Sequence, residues 1–183
     1  MQELRHVMIK PDILLDPPAI AENERENSII VLEYLQTLTK IENFRCTEEV
    51  LKRIPNIKKL KICYATPSKG VEYFCLNNLV HLNKLEEFKF DFLTVIKSSL
   101  KNLTFPPSLK KLTLISGFHP WEETEIVGSL PHLQVLKLKK RAFYGPKWEL
   151  HEGGFLQLKV LLLEKTNIEK WIADSFTSPN FSA

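Results

Sequence analysis

Cysteine and glycine are scarce in this sequence, and their scarcity removes whole classes of function. Its 183 residues carry three cysteines, Cys46, Cys63 and Cys75, and six glycines. An odd cysteine set with no C-x-x-C pair supplies neither a zinc site nor a disulfide framework, so the thiols read as reduced and partly buried. The glycines are scattered and no G-x-x-x-x-G-K-[ST] run occurs, which leaves a nucleotide's phosphates without a cradle. No G-x-S-x-G elbow accompanies the serines. The five histidines, at 6, 81, 119, 132 and 151, show no ligand spacing with one another or with cysteine. Neighbouring carboxylates, Glu48-Glu49, Glu86-Glu87 and Glu122-Glu123, face opposite sides of a strand and read as solvated charge. Long apolar runs are missing as well. Nothing approaches the ~18 residues of a membrane span, and the first residues hold no apolar signal region. A net charge of +3 is too small to point to nucleic acid, and the basic residues are not interleaved with aromatics. The chain reads as cytoplasmic and non-enzymatic, with no metal, no cofactor and no transmembrane span.

What the sequence does have is a pattern that changes period partway. Residues 130–140 read LPHLQVLKLKK, with apolar anchors spaced by three, three and two. A helix keeps threes and fours, and a half-buried strand keeps twos. The mixed form recurs at Leu4–Ile9, Ile54–Ile62, Leu82–Phe90, Phe105–Leu114 and Phe155–Leu163. A looser copy spans Leu35–Ile41, with Lys40 at an anchor place and Ile41 one residue late. Aligned on the middle anchor, the units fall at 7, 38, 60, 88, 112, 136 and 161, in steps of 31, 22, 28, 24, 24 and 25 residues. L-x-x-L-x-L at a period in the twenties marks leucine-rich repeats.

The predicted fold is therefore α/β: a leucine-rich-repeat solenoid bent into a horseshoe arc, with about seven irregular repeats. Each L-x-x-L-x-L segment is a short strand of a parallel sheet on the concave face, entered by a turn. Short helices and loops return on the convex face, at Thr47–Ile54, Val71–Leu79 and Thr124–Leu130. Pro55, Pro106, Pro107 and Pro131 precede strands, where a missing N–H costs no ladder bond. The repeats span 1–171, with an insertion loop at 11–28 and a second loop at 140–154. Residues 172–183 read as an irregular tail. One repeat cannot bury its own apolar face, so stability belongs to the stack, which needs a polar cap at each end. Neither end reads as a cap, which predicts a truncated piece of a longer protein.

The residues between anchors point away from the core and form the candidate binding face. Those expected to touch a partner are Lys59, Lys61, Glu87, Lys89, Asp91, Lys111, Lys137, Lys139 and Leu162. At strand spacing of about 5 Å the lysines are expected to line up as columns of like charge, which either simply keep an exposed sheet solvated, the plainer reading, or favour an acidic protein partner. Val135, Val160 and Leu162 bring apolar groups to the same face, either as a contact patch or, the favoured reading, beneath Phe143, Tyr144 and Trp148 of the second loop.

The wording between anchors carries a resemblance. YLQTLTKIENFRCTEEVLKRIPNIKKLKI at 34–62, SLPHLQVLKLKKRAFYGPKWE at 129–149 and FLQLKVLLLEKTNIEKW at 155–171 resemble the leucine-rich region of plant intracellular nucleotide-binding (NB-LRR) disease-resistance proteins, in the late-blight-resistance-like group. The resemblance covers most of 1–171 and includes non-anchor residues such as Phe44-Arg45-Cys46, Phe143, Gly145 and Trp148. It implies a module of an immune receptor that senses pathogen effectors and restrains a nucleotide-driven switch. Its implied partners are the receptor's own nucleotide-binding domain, an effector or a guarded host protein. The implied place is the cytoplasm, with peripheral membrane attachment open to a full-length receptor. Two other readings stay open: a leucine-rich substrate adaptor of an F-box-type ubiquitin ligase, and a secreted receptor fragment. The N-x-L-x-G-x-I-P run of extracellular plant repeats is absent, and Asn102-Leu-Thr104 and Asn180-Phe-Ser182 read as chance glycosylation triplets.

Overall fold

A computed structural model describes residues 4–8, 30–65, 75–92, 99–150 and 152–173. The predicted insertion at 11–28 and the end of the chain after 173 lie outside the described residues.

Each apolar segment forms a strand: β1 (His6–Met8), β2 (Thr37–Glu42), β3 (Lys59–Tyr64), β4 (Glu87–Phe92) and β5 (Lys111–Ile115). After β6 (His119–Pro120) come β7 (Val135–Lys139), β8 (Phe143–Tyr144), β9 (Lys147–Leu150), β10 (Val160–Glu164) and β11 (Lys170–Ala173). Seven of them make one all-parallel sheet in the order β1-β2-β3-β4-β5-β7-β10. The register matches the repeat alignment at every rung: Val7, Leu38, Leu60, Phe88, Leu112, Leu136 and Leu161 lie side by side.

The change of period has a backbone cause. In four of the units the first two anchors close a hydrogen-bonded turn, as when Leu85 N–H reaches the Leu82 carbonyl (2.9 Å) and Leu133 the Leu130 carbonyl (3.4 Å); in the Phe105 unit, where the spacing is four, Leu109 N–H reaches the Pro106 carbonyl instead (3.1 Å). That turn sets the spacing of three; the pleated strand then sets the spacing of two. Adjacent units are also joined by a repeated contact. The carbonyl of Lys58 accepts two amides of the next unit, from Glu86 and Glu87, at 2.8 and 2.9 Å. Arg5, Gln36, Glu86, Lys110 and Gln134 do the same for their successors. The loose copy is resolved by a bulge. Lys40 sits at φ 63° and is exposed, the register shifts between Thr39 and Ile41, and Ile41 returns to the core.

The core lies on one side of the sheet. Leu60, Leu109, Leu112, Leu136 and Leu138 are fully buried there. β4 fills its share with aromatics: Tyr64 meets Phe90 edge-on at 5.3 Å, and Phe90 meets Phe92 at 4.1 Å. The Tyr64 hydroxyl donates to the Phe44 carbonyl at 2.6 Å, which satisfies the polar atom of that buried side chain.

The return segments are short. Helix α1 (Glu48–Lys52) starts at Thr47, whose hydroxyl accepts from Val50 N–H at 3.3 Å, with Glu48 and Glu49 in the first turn. Helix α2 (Thr124–Gly128) falls within the predicted third helix. The predicted helix at Val71–Leu79 is a 3-10 turn at Leu76–His81, and 71–74 lie outside the described residues.

Two expectations are corrected. The segment 140–154 is not simply loop, because β8 and β9 lie in it and pair in parallel with β6 and β11. β11 also crosses the expected boundary of the irregular tail at 172. The physical reason is one: the apolar groups of these segments are aromatic, and they stack. Trp121 lies on Phe143 at 5.3 Å and on Trp148 at 4.8 Å, and Trp148 on Trp171 at 5.6 Å. Trp148 Nε1–H donates to Thr124 Oγ1 at 2.9 Å and Trp121 Nε1–H to the Gly145 carbonyl at 2.8 Å. This stack extends the period of the main sheet into a second layer.

Candidate functional site

The alternate side chains of the main sheet point away from the core, as their spacing predicts. Parallel register then fixes which of them are neighbours. Lys59, Glu87, Lys111, Val135 and Val160 form one row across the sheet. Lys61, Lys89, Thr113, Lys137 and Leu162 form the next, and Cys63, Asp91, Ile115, Lys139 and Glu164 the third. All nine expected partner-binding residues thus share one open face.

The expected columns of like charge do not form. In these rows only Lys61 and Lys89 are like charges directly side by side; elsewhere acids or neutral groups intervene. Glu87 accepts Lys59 at 3.0 Å and Lys61 at 3.3 Å. Burial works to raise the Glu87 pKa, but the two ammonium groups outweigh it and hold the carboxyl below its usual range. Asp91 goes the other way. Half-burial lifts its pKa, and Lys89 and Lys140 only partly oppose this. Cys63 is pushed up to about 11 by burial, then by the charges of Glu42 and Asp91. At the far end, Lys139 donates to Glu164 at 2.6 Å, and this bond holds the Glu164 carboxyl down. Lys111 and Lys137 have no carboxylate partner among the described residues. Ile115, though it shares the third row, is only 6% exposed; it closes β5 between Asp91 and Lys139, where the chain turns at Ser116 (φ 62°).

The expected cover over the apolar end is also corrected. Phe143 and Trp148 are buried in the second layer, held there by the tryptophan stack, and Tyr144 is exposed. Val160 remains 47% exposed, while Val135 and Leu162 are half-buried. Among the described residues, the open face therefore ends in an uncovered apolar patch.

Two polar groups escaped the sequence reading. Glu123, expected to be solvated, is 5% exposed and accepts from Ser99 Oγ (2.7 Å) and Leu100 N–H (2.6 Å). His119, 3.7 Å from that carboxylate, lies between Phe92 and Phe143. Their position inside the stack makes them part of the frame. The signal was the period itself, since His119 and Phe143 stand one repeat apart and pair in register. Cys46, Cys63 and Cys75 are thiols rather than disulfides, and Cys46 is fully buried. Among the described residues no group of three His, Cys, Asp or Glu side chains could hold a metal ion. No helix among them is long and apolar enough to cross a membrane.

No family model matches the chain. Curated proteins do. It is 32% identical over 184 aligned residues, 98% of its length, to a late blight resistance protein homolog of Solanum demissum, of which it spans 23%. It is also 32% identical, over 188 aligned residues, to a late blight resistance protein of the same plant, spanning 14% of that protein. It is 29% identical over 154 residues to the disease resistance protein RPP8 of Arabidopsis thaliana, spanning 16%. The chain thus spans a quarter or less of the curated relatives it matches. With seven in-register leucine-type rungs matched along nearly its whole length, this chain is a relative of plant disease-resistance proteins of the late-blight-resistance group and corresponds to one segment of them.

Proposed function

We propose that the chain is the leucine-rich recognition and regulatory module of an intracellular NB-LRR immune receptor, curved as a solenoid with the open face on its concave side. It senses pathogen effectors, directly or through a guarded host protein, and holds the receptor's own nucleotide-binding domain in check through protein contacts. The observation that carries this reading is the open face: seven parallel strands, each presenting alternate side chains outward from a rigid apolar spine. A rigid frame with independently replaceable outward positions is what selective protein recognition needs. Similarity to resistance proteins points the recognition toward defence. Such a module works by binding rather than catalysis, in the cytoplasm or against the membrane's inner surface.

The test is co-precipitation within a full-length receptor carrying this segment. Replacing Lys61, Lys89, Lys111 and Lys137 together by Glu is expected to abolish capture of the nucleotide-binding region or of a cognate effector, with the circular dichroism spectrum unchanged. Undiminished capture of both overturns the reading.

A further inference from the structure

We infer that the open face engages its partner through β5, β7 and β10, and that the partner is a protein segment whose carboxylates bracket apolar side chains. This rests on reading the open face as a recognition surface, and it adds where and with what chemistry.

The two halves of that face differ in what they leave unanswered. On β3 and β4, Glu87 already binds Lys59 and Lys61, and Lys89, without an ion pair among the described residues, stands between Lys61 and Thr113 with no apolar group beside it in its row. A partner's carboxylate there only exchanges one ion pair for another, and exposed pairs of this kind contribute little. On β5 and β7, Lys111 and Lys137 have no carboxylate among the described residues. Beside them Val135 and Val160 are register partners and Leu162, two residues along β10, is the partner of Lys137; Val160 is exposed and the other two are half-buried. Further cations stand where the strands end. Lys140, Arg141 and Lys165 all turn at positive φ and are exposed. Against them stand Glu164, already bound to Lys139, and Asp91, whose half-burial disfavours its charge.

An apolar patch flanked in register by Lys111 and Lys137, with further cations beyond the strand ends, is the arrangement of a recognition hot spot. Covering the valines and the leucine excludes water, and water exclusion strengthens each surrounding charge pair. A partner with carboxylates alone leaves the apolar patch uncovered. Single-stranded nucleic acid stacks its bases on aromatic platforms, and no aromatic residue occupies an outward position on these three strands.

Fluorescence anisotropy tests this on the whole chain. The probe is a fluorescein-labelled glycine-serine peptide carrying Glu-Glu-Leu-Leu-Glu-Glu. Comparison probes replace its leucines by serine or its glutamates by lysine; others are a single-stranded oligonucleotide and phosphatidylserine–phosphatidylcholine vesicles. The Glu-Leu peptide is expected to bind at least tenfold more tightly than either altered peptide. Lys111→Glu with Lys137→Glu is expected to weaken it tenfold or more, Val160→Asp about as much, and Lys59→Glu with Lys61→Glu less than twofold. Lys111→Gln with Lys137→Gln, a milder change, should weaken it severalfold without disturbing the fold. Equal binding of the serine peptide, or tighter binding of the oligonucleotide or the vesicles, overturns the inferred chemistry. Equal loss from the β3 variant overturns the location while leaving the open face as a recognition surface. Failure of that broader reading shows separately, as co-precipitation that no charge reversal anywhere on the face disturbs.

Discussion

On β3 and β4 Glu87 answers Lys59 and Lys61 across the open face, whereas on β7 and β10 Lys137, without a carboxylate among the described residues, stands beside Leu162. Yet the opposite side of the sheet shows no such contrast: Leu60, Phe88 and Leu136 are equally buried in one continuous core. The difference between the halves is therefore confined to outward positions. A parallel sheet built on a common spine lets the two sides vary independently, because pleating sends neighbouring residues to opposite faces. Stability is shared along the array, while outward charge and apolar character vary from rung to rung.

The most direct way to break the comparison is to strike the shared spine. Phe90→Ala in one half and Leu136→Ala in the other are each expected to cost about 3–5 kcal/mol. Urea unfolding should show one transition in both variants; two transitions would mean that the halves fold as separate units. Next comes the second layer. Glu123→Ala removes a buried acceptor from Leu100 N–H and Ser99 Oγ, and should cost about 2–3 kcal/mol by the same measurement, with Glu123→Gln costing less.

The thiols sharpen the picture kinetically. With Cys63 pushed up to about 11 from an ordinary value near 9, its thiolate fraction at about pH 8 falls about a hundredfold. Iodoacetamide should label Cys63 about that much more slowly in the folded chain than in denaturant. Equal rates would show that β3 is not held against its neighbours.

The smallest effects are in the open-face charges, and their signs differ. Glu87 has a lowered folded pKa, so its contribution is present above the unfolded carboxylate range and is lost as pH falls through the folded value. Asp91 has a raised one, so its contribution is present at low pH and is lost as pH rises through the folded value. Glu87→Gln should flatten the acid limb of a stability–pH profile and Asp91→Asn should steepen it, each by under about 1 kcal/mol. Matching slopes in the two variants would contradict the charge layout.

How much of this was legible depends on which physical rule governs each residue. The strand positions and their register followed from anchor spacing alone, down to the displaced Ile41, because burial of alternate leucines admits one alignment. The outward set followed from the same alternation. Its pairing did not, since Glu87 reaches Lys59 and Lys61 through side-chain geometry that spacing does not carry. β8, β9 and β11 were missed because two to four residues are too few to show a period. Their apolar residues are mostly large rings that pack by stacking, a contact no alternation pattern encodes. Glu123 was misread for a related reason: an adjacent acidic pair looks solvated until a neighbouring repeat delivers its donors.

The doubled carbonyl contact between successive units has a consequence for change over time. Because each unit grips the next through main-chain atoms just ahead of the strand, connector length is free to drift, as the steps from 22 to 31 residues already display. Whole rungs can be added, dropped or exchanged without redesigning the joint, and a lineage can rewrite its outward lettering on an unaltered ladder.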